Sequence, residues 1–315
     1  MARLFPLLPF HSDETPRSWA ARMAAFHIRG PIDTFLRDLG LDPLAFSLGE
    51  PDEVIRLCDL AGQDQQTVLR NTLVHVVRRA YRLGSEHLID TLCRAEDLRF
   101  CPACLAEDDA AAVSAKQDSA IHRRERLAWR LKAVRCCPAH GRPLIRRMRP
   151  DGTEGMGAFA GGVPETTAML EDIARSSERR SASPLQTYVA GRIKGHPGPA
   201  WLDNQPLEQA IRSSEVLGAV FAFGPHAAFD NLSDSEGDVA STCGWRFTSR
   251  GEAGVRRAFR IMQARADQKD PVIARRIRNT FGTLLDEVQR ISGNCPIRLL
   301  LHEHITNTAG TASGK

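Results

Sequence analysis

Cys101-Pro102-Ala103-Cys104 is echoed 32 residues later by Cys137-Pro138-Ala139-His140. Two ligands three positions apart on a tight turn can occupy half of a tetrahedral ion's coordination shell, and two such turns complete a Cys3His set. Proline after the first cysteine fixes the bend and leaves the next backbone amides free to donate to the thiolates. The pattern therefore predicts one zinc ion held by Cys101, Cys104, Cys137 and His140. A closed four-ligand set leaves no open position for water or substrate, so this zinc is expected to be structural. Cys136 competes with Cys137, but only Cys137 repeats the spacing of the first pair. Cys58, Cys93, Cys243 and Cys295 sit in apolar or isolated contexts and read as packed thiols.

No second constellation suggests chemistry. The chain has no His-Glu-x-x-His, no Gly-x-Ser-x-Gly and no phosphate-binding Gly-rich loop, so it is expected not to be an enzyme. His302-Glu303-His304 would put its histidines on different faces of a helix, which suits packing or surface roles better than chelation. Asp13-Glu14 reads as negative charge favouring a helix start. The opening Met1–His11 is short and holds two prolines, unlike a secretory signal. No run of about 18 apolar residues is present, so no membrane span is expected and the cytoplasm is the expected compartment.

The net charge of +4 over 315 residues is unremarkable, but its distribution is uneven. Residues 118–149 hold ten Lys/Arg against two acids, and residues 246–290 hold eleven against five. Arg123, Arg124, Arg126 and Arg130 lie between the two cysteine turns, with Arg146 and Arg147 just beyond. These six are the candidate nucleic-acid contacts, presented on a zinc-stiffened basic face.

Apolar spacing predicts a mainly α fold in three parts. Residues 1–98 read as an N-terminal helical, helix-turn-helix-like domain, residues 99–149 as a small zinc-knuckle module, and residues 164–305 as a C-terminal helical domain. A glycine-rich link covers 150–163, and 306–315 reads as a disordered tail. Thr15-Pro16 marks a helix start. Residues 52–61 and 65–82 read as two helices around Gly62, either a packing hairpin or a helix-turn-helix that would bring Gln63–Arg70 to a DNA groove. Residues 228–245 read as loop, and 271–291 as one helix.

The chain resembles TniQ/TnsD-type transposition accessory proteins. Leu7-Leu8-Pro9 with Asp13-Glu14-Thr15, Ser18-Trp19 and Arg22 is similar to the family's opening segment. Phe100-Cys101-Pro102-Ala103-Cys104-Leu105-Ala106-Glu107-Asp108 is similar to its first knuckle. Trp129-Arg130-Leu131, Val134, Cys137-Pro138-Ala139-His140-Gly141 and Leu144 resemble its closure. A weaker likeness runs through Tyr188–Gly195, Trp201-Leu202-Asp203 and Glu215–Gly218. Many members carry a further Cys-x-x-Cys pair where this chain has Ile145–Arg149, so one zinc is expected rather than two. The resemblance implies an adaptor that selects a transposition target, binds DNA or a CRISPR-type or other targeting complex, and recruits an AAA+ transposition ATPase. It also implies helix-turn-helix DNA binding and homodimer formation. The alternative is a zinc-containing DNA-binding transcriptional regulator, which would share the hairpin and the basic face.

Overall fold

Thr15 caps the first helix, α1 (Pro16–His27): its hydroxyl accepts from the Ser18 amide at 3.2 Å, and Pro16 supplies a preset first turn. The computed structural model describes residues 3–78, 80–89, 91–93, 97–148, 159–266, 272–291 and 293–312. It divides into two compact units, Met1–Ser181 and Ala182–Lys315.

In the first unit, Trp19, Ala20, Met23 and Ala24 form the buried face of α1. Against them pack α2 (Ile32–Asp38), α3 (Pro43–Ser47), α4 (Pro51–Ala61) and α5 (Gln65–Arg70), whose inward residues include Phe35, Phe46, Leu57 and Val68. Gly62 ends α4 in the left-handed conformation at φ 62°, and Asp64 caps α5 by accepting from the Thr67 amide at 2.8 Å. The helix expected over 65–82 stops at Arg70. Asn71 turns its side chain away to donate to the carbonyls of Ser12 and Glu14, at 2.9 and 2.8 Å. The β-branched run that follows then forms strands. These are β1 (Leu73–Val77), β2 (Ala80–Leu83) and β3 (Glu86–Leu88), an antiparallel meander with Leu73 opposite Leu83 and Tyr81 opposite Leu88.

The rest of the unit surrounds the cysteine turns. β4 (Asp97–Phe100) leads into α6 (Pro102–Ala115), a helix inside what reads from spacing as an inter-turn loop. Short 3-10 turns at Ser119–Ile121 and Leu127–Arg130 follow. β5 (Cys136–Cys137) pairs with β6 (Arg142–Pro143), and β7 (Ile145–Met148) closes on β4 with Phe100 opposite Ile145. Most of the expected 150–163 link lies outside the described residues, but its end does not behave as a link. Phe159 and Val163 are buried, and the Phe159 ring lies 6.1 Å from that of Trp129. α7 (Thr167–Ser176) buries Leu170 and packs on α6. It thus belongs to the first unit, so the boundary between the units falls after residue 181 rather than near 163.

The second unit contains α8 (Pro184–Arg192), α9 (Ala200–Asp203), α10 (Leu207–Phe223), α11 (Asp234–Thr248), α12 (Gly251–Arg265), α13 (Ile273–Phe281), α14 (Thr283–Arg290) and α15 (Pro296–Ala312). Residues 228–245 are largely helical where a loop was expected. Ser233 and Glu236 form a reciprocal capping box that starts α11, and small residues form its buried face. The single helix expected over 271–291 breaks at Gly282 (φ 44°), whose Cα abuts the Pro225 carbonyl so closely that an added Cβ would sit 1.7 Å from that oxygen. The expected tail at 306–315 is helical through Ala312. Earlier in α15, Glu303 pairs with Arg256, while His304 bonds Gln263 and packs against Phe259 and Phe281, in keeping with packing roles. Among the described residues no helix is long and apolar enough to cross a membrane.

Candidate metal centre

Cys101 ends β4 and is also the N-cap of α6, with Pro102 in the first turn. Cys104 therefore lies one turn into the helix and returns beside Cys101. Across from them, the β5–β6 turn carries Cys137 and His140, and the Gly141 amide donates to the Cys137 carbonyl at 2.9 Å. The ligand atoms of Cys101, Cys104, Cys137 and His140 all lie within 4.8 Å of one another and could hold one metal ion. Nδ1 of His140 lies 3.6, 3.3 and 3.5 Å from the sulfurs of Cys101, Cys104 and Cys137, and the Cys104 and Cys137 sulfurs are 3.5 Å apart. A tetrahedral ion with bonds of about 2.3 Å to sulfur and about 2.0 Å to nitrogen requires ligand separations of about 3.5–3.8 Å. The donor set fits such an ion in both chemistry and spacing. Cys136, though buried, points elsewhere, because adjacent strand residues face opposite sides.

The thiols explain why a cation belongs there. Hydrogen bonds from Cys101 and Cys104 hold Cys137 far below the usual thiol range, and the same crowding drives Cys104 far above it. Cys101 is pushed up to about 11: its bond with Cys104 pulls it down, and its bond with Cys137 together with burial outweighs that pull. Three sulfurs at this distance cannot all ionise unless a positive ion sits among them. His140 offers Nδ1 to the centre and Nε2 to the Glu107 carboxylate at 3.0 Å, a contact that orients the ring. Glu107 escaped the reading from spacing. Its signal was its place one turn beyond Cys104 on the helix.

The six candidate nucleic-acid arginines do not form one exposed face. Arg123 is buried, forked onto Asp109 at 2.6 and 2.7 Å and donating to the Pro164 and Glu165 carbonyls. Arg126 is likewise buried, forked onto Asp108 at 2.6 and 2.9 Å, with its guanidinium 4.9 Å from the Trp129 ring centre. Arg124 bridges Asp13 and Asp108, and Arg130 lies 3.8 Å from Glu125. These four brace the interior, held above all by the buried Asp108 and Asp109, and so do not supply the exposed face that the charge count alone suggested. Arg146 is exposed, paired with Asp97 at 2.8 Å, and Arg147 is partly exposed over the Phe100 ring.

The frame extends to the N-terminus. Glu14 pairs strand-like with Arg126, and the Thr15 amide donates to the Glu125 carbonyl at 3.2 Å. Inside the same junction, Glu14 accepts from the Ser18 hydroxyl at 2.8 Å and from Arg22 at 2.6 Å. Burial pushes the Glu14 carboxyl up to about 7, against the pull of Arg22 and Ser18. Glu14 is therefore an internal tie rather than simple helix-start charge. Changing Arg126 to lysine keeps the charge but loses the fork on Asp108 and the contact with Trp129. The expected cost is about 1–2 kcal/mol, read as a lower denaturation midpoint with an unchanged slope.

A short-turn Cys3His centre, clamped to a helical domain by buried carboxylate–guanidinium pairs, defines a mainly helical metal-knuckle protein. Residues 6–144 match the TniQ family model, a match that supports a transposition-associated role for that segment. The match ends before the last described strand and α7 complete the first compact unit. No curated protein and no solved structure matches the chain.

Proposed function

We propose that this chain is a transposition target-selection adaptor without catalysis of its own: it binds DNA, a targeting complex or both, and recruits an AAA+ transposition ATPase. The observation that carries the reading is the TniQ match, supported by the way its three motif segments converge. Asp13, Glu14 and Arg22, the Asp108–Asp109 pair, and the 123–131 segment are tied by ion pairs into one frame on the helix that carries Cys104. The ion is zinc, which three thiolates and an imidazole in a closed tetrahedron favour over harder cations. Its role is to hold surfaces in place.

With Arg123 and Arg126 committed to internal pairs, phosphate contacts fall to exposed cations. Arg78 and Arg82 on the β1–β2 hairpin, which follows the α4–α5 turn, are exposed, as is Arg146 on β7. Duplex DNA affinity is expected to fall steeply with salt, and Arg78→Gln with Arg82→Gln to weaken it about tenfold and to flatten the salt slope. The test is fluorescence anisotropy on duplex DNA, together with co-purification against an AAA+ transposition ATPase encoded beside this gene. Retention of neither DNA nor ATPase would remove the adaptor reading. DNA binding without ATPase would favour a stand-alone regulator.

A further inference from the structure

In the first unit, a cleft of about 680 Å3 opens beside α1, bounded by the ends of α1 and α6, the 119–121 turn and the Phe159 turn. That volume is in the range of ligand-binding clefts. Phe26, Ile32 and Ile121 supply apolar wall, and four cations line it: Arg22, Arg29, Lys116 and Arg123, the last already forked onto Asp109.

Two observations indicate that the cations serve an occupant. Arg29 and Lys116 follow the ends of α1 and α6 and are both left-handed, at φ 50° and 55°, a conformation that glycine adopts without steric cost. Both are exposed. Strained non-glycine residues concentrate at functional sites, and here two of them put positive charge on one cleft. The second observation concerns Arg22, which is only 3% exposed. Its Nε donates to the Ile121 carbonyl at 2.8 Å and its Nη1 to Glu14 at 2.6 Å and Pro9 at 3.4 Å. Among the described residues Nη2 has no acceptor, and Arg22 lines the cleft. Asp118, the one carboxylate in the described lining, is spent on the Ala120 amide at 2.8 Å.

The cleft therefore matches a group that is anionic at one end and apolar at the other. The helices reach it by their C-termini, whose carbonyl ends carry partial negative charge. That disfavours a polyphosphate, which takes helix N-termini and glycine-rich amides instead. A single carboxylate, held by Arg22, Arg29 and Lys116, is compatible. We infer that this cleft docks a partner protein through a short peptide segment that sets an aspartate or glutamate beside a large apolar side chain. The inference deepens the adaptor reading by giving the chemistry of one partner contact. A chain that retains DNA and ATPase but fails the following test is an adaptor that docks elsewhere.

The test is panning a random heptapeptide library on the full-length chain, followed by anisotropy of the enriched peptides on three proteins. These are the parent, Arg29→Gly/Lys116→Gly, and a charge-matched control, Arg37→Gln/Lys132→Gln, altered at exposed positions outside the cleft. Glycine suits both left-handed positions, so the double variant is expected to melt no lower than the parent. Enriched peptides are expected to pair Asp or Glu with Phe, Leu or Trp. Their affinity should fall at least tenfold on the glycine variant, stay within twofold on the control, and resist equimolar ATP and duplex DNA. Enrichment without acids, no saturable binding at millimolar peptide, equal affinity for all three proteins, or displacement by ATP or duplex would each overturn the inference.

Discussion

Cys137→Ser is expected to release one equivalent of bound metal per chain and to unfold the region from β4 to β7. Serine matches the volume of cysteine but offers a neutral, hard oxygen in place of a thiolate, and the remaining Cys101, Cys104 and His140 cannot close a tetrahedron. The consequences extend beyond four ligands. α6 begins at Cys101 and carries Asp108 and Asp109, which hold Arg126 and Arg123 in the interior. Without the ion, that helix loses its anchor and the buried charges lose their geometry. Because the free energy of binding a structural ion is folding free energy, the loss is expected to exceed about 5 kcal/mol, comparable with the stability of a whole domain. Metal content by mass spectrometry and thermal unfolding followed by tryptophan fluorescence measure it, since Trp129 sits in the affected region. Cys136→Ser is the matched control: one residue away, buried, outside the ligand set, and expected to keep the metal. A metal-free Cys137→Ser protein melting with the parent would contradict the structural role of the ion.

Gly244→Ala is expected to destabilise the second unit by more than about 3 kcal/mol. α10 and α11 cross at near backbone contact. A Cβ on Gly244 would lie 1.8 Å from the Ser214 carbonyl oxygen, and one on Gly218 would lie 1.8 Å from that of Ala240. Neither obstacle is a side chain that can rotate away, so one methyl group must separate two helices. Separation stretches the bond between the buried Ser214 and Thr248 hydroxyls, now 2.8 Å, and opens the core that Val216, Leu217 and Val220 share with Phe247 and Phe259. Chemical denaturation of Gly244→Ala checks this, with Gly161→Ala as comparison, because a Cβ there meets nothing within 4 Å. A Gly244→Ala midpoint equal to that of Gly161→Ala would show that the helices are not in the contact described.

The amino-acid order exposed some features and concealed others for identifiable reasons. Paired ligand spacing is local chemistry, so Cys101, Cys104, Cys137 and His140 were legible, including the choice of Cys137 over Cys136. Helix starts with a strong cap, such as Thr15-Pro16, were legible for the same reason. The helix expected over 65–82 failed because apolar residues at Leu73 and Val76 suit either period, and only the Asn71 bonds to Ser12 and Glu14, over fifty residues away, decide where the helix ends. Residues 228–245 read as loop because α11 hides small and polar residues against α10, where close approach replaces bulky side chains. The arginines between the cysteine turns were misleading because charge counting cannot see partners. Asp109 lies 14 residues before Arg123 and Asp108 18 before Arg126, on a helix that nothing nearby demanded.

By itself, then, the amino-acid order determined the mainly helical class, the ligand set for one ion and the family likeness, since each rests on residue identity over a few turns of chain. Tertiary structure alone decided which charges face inward, where the first unit ends, and which cations line an open cleft. The physical reason is that a charge becomes strut or surface only through burial and the position of its counter-charge. Both depend on contacts between segments far apart in the chain.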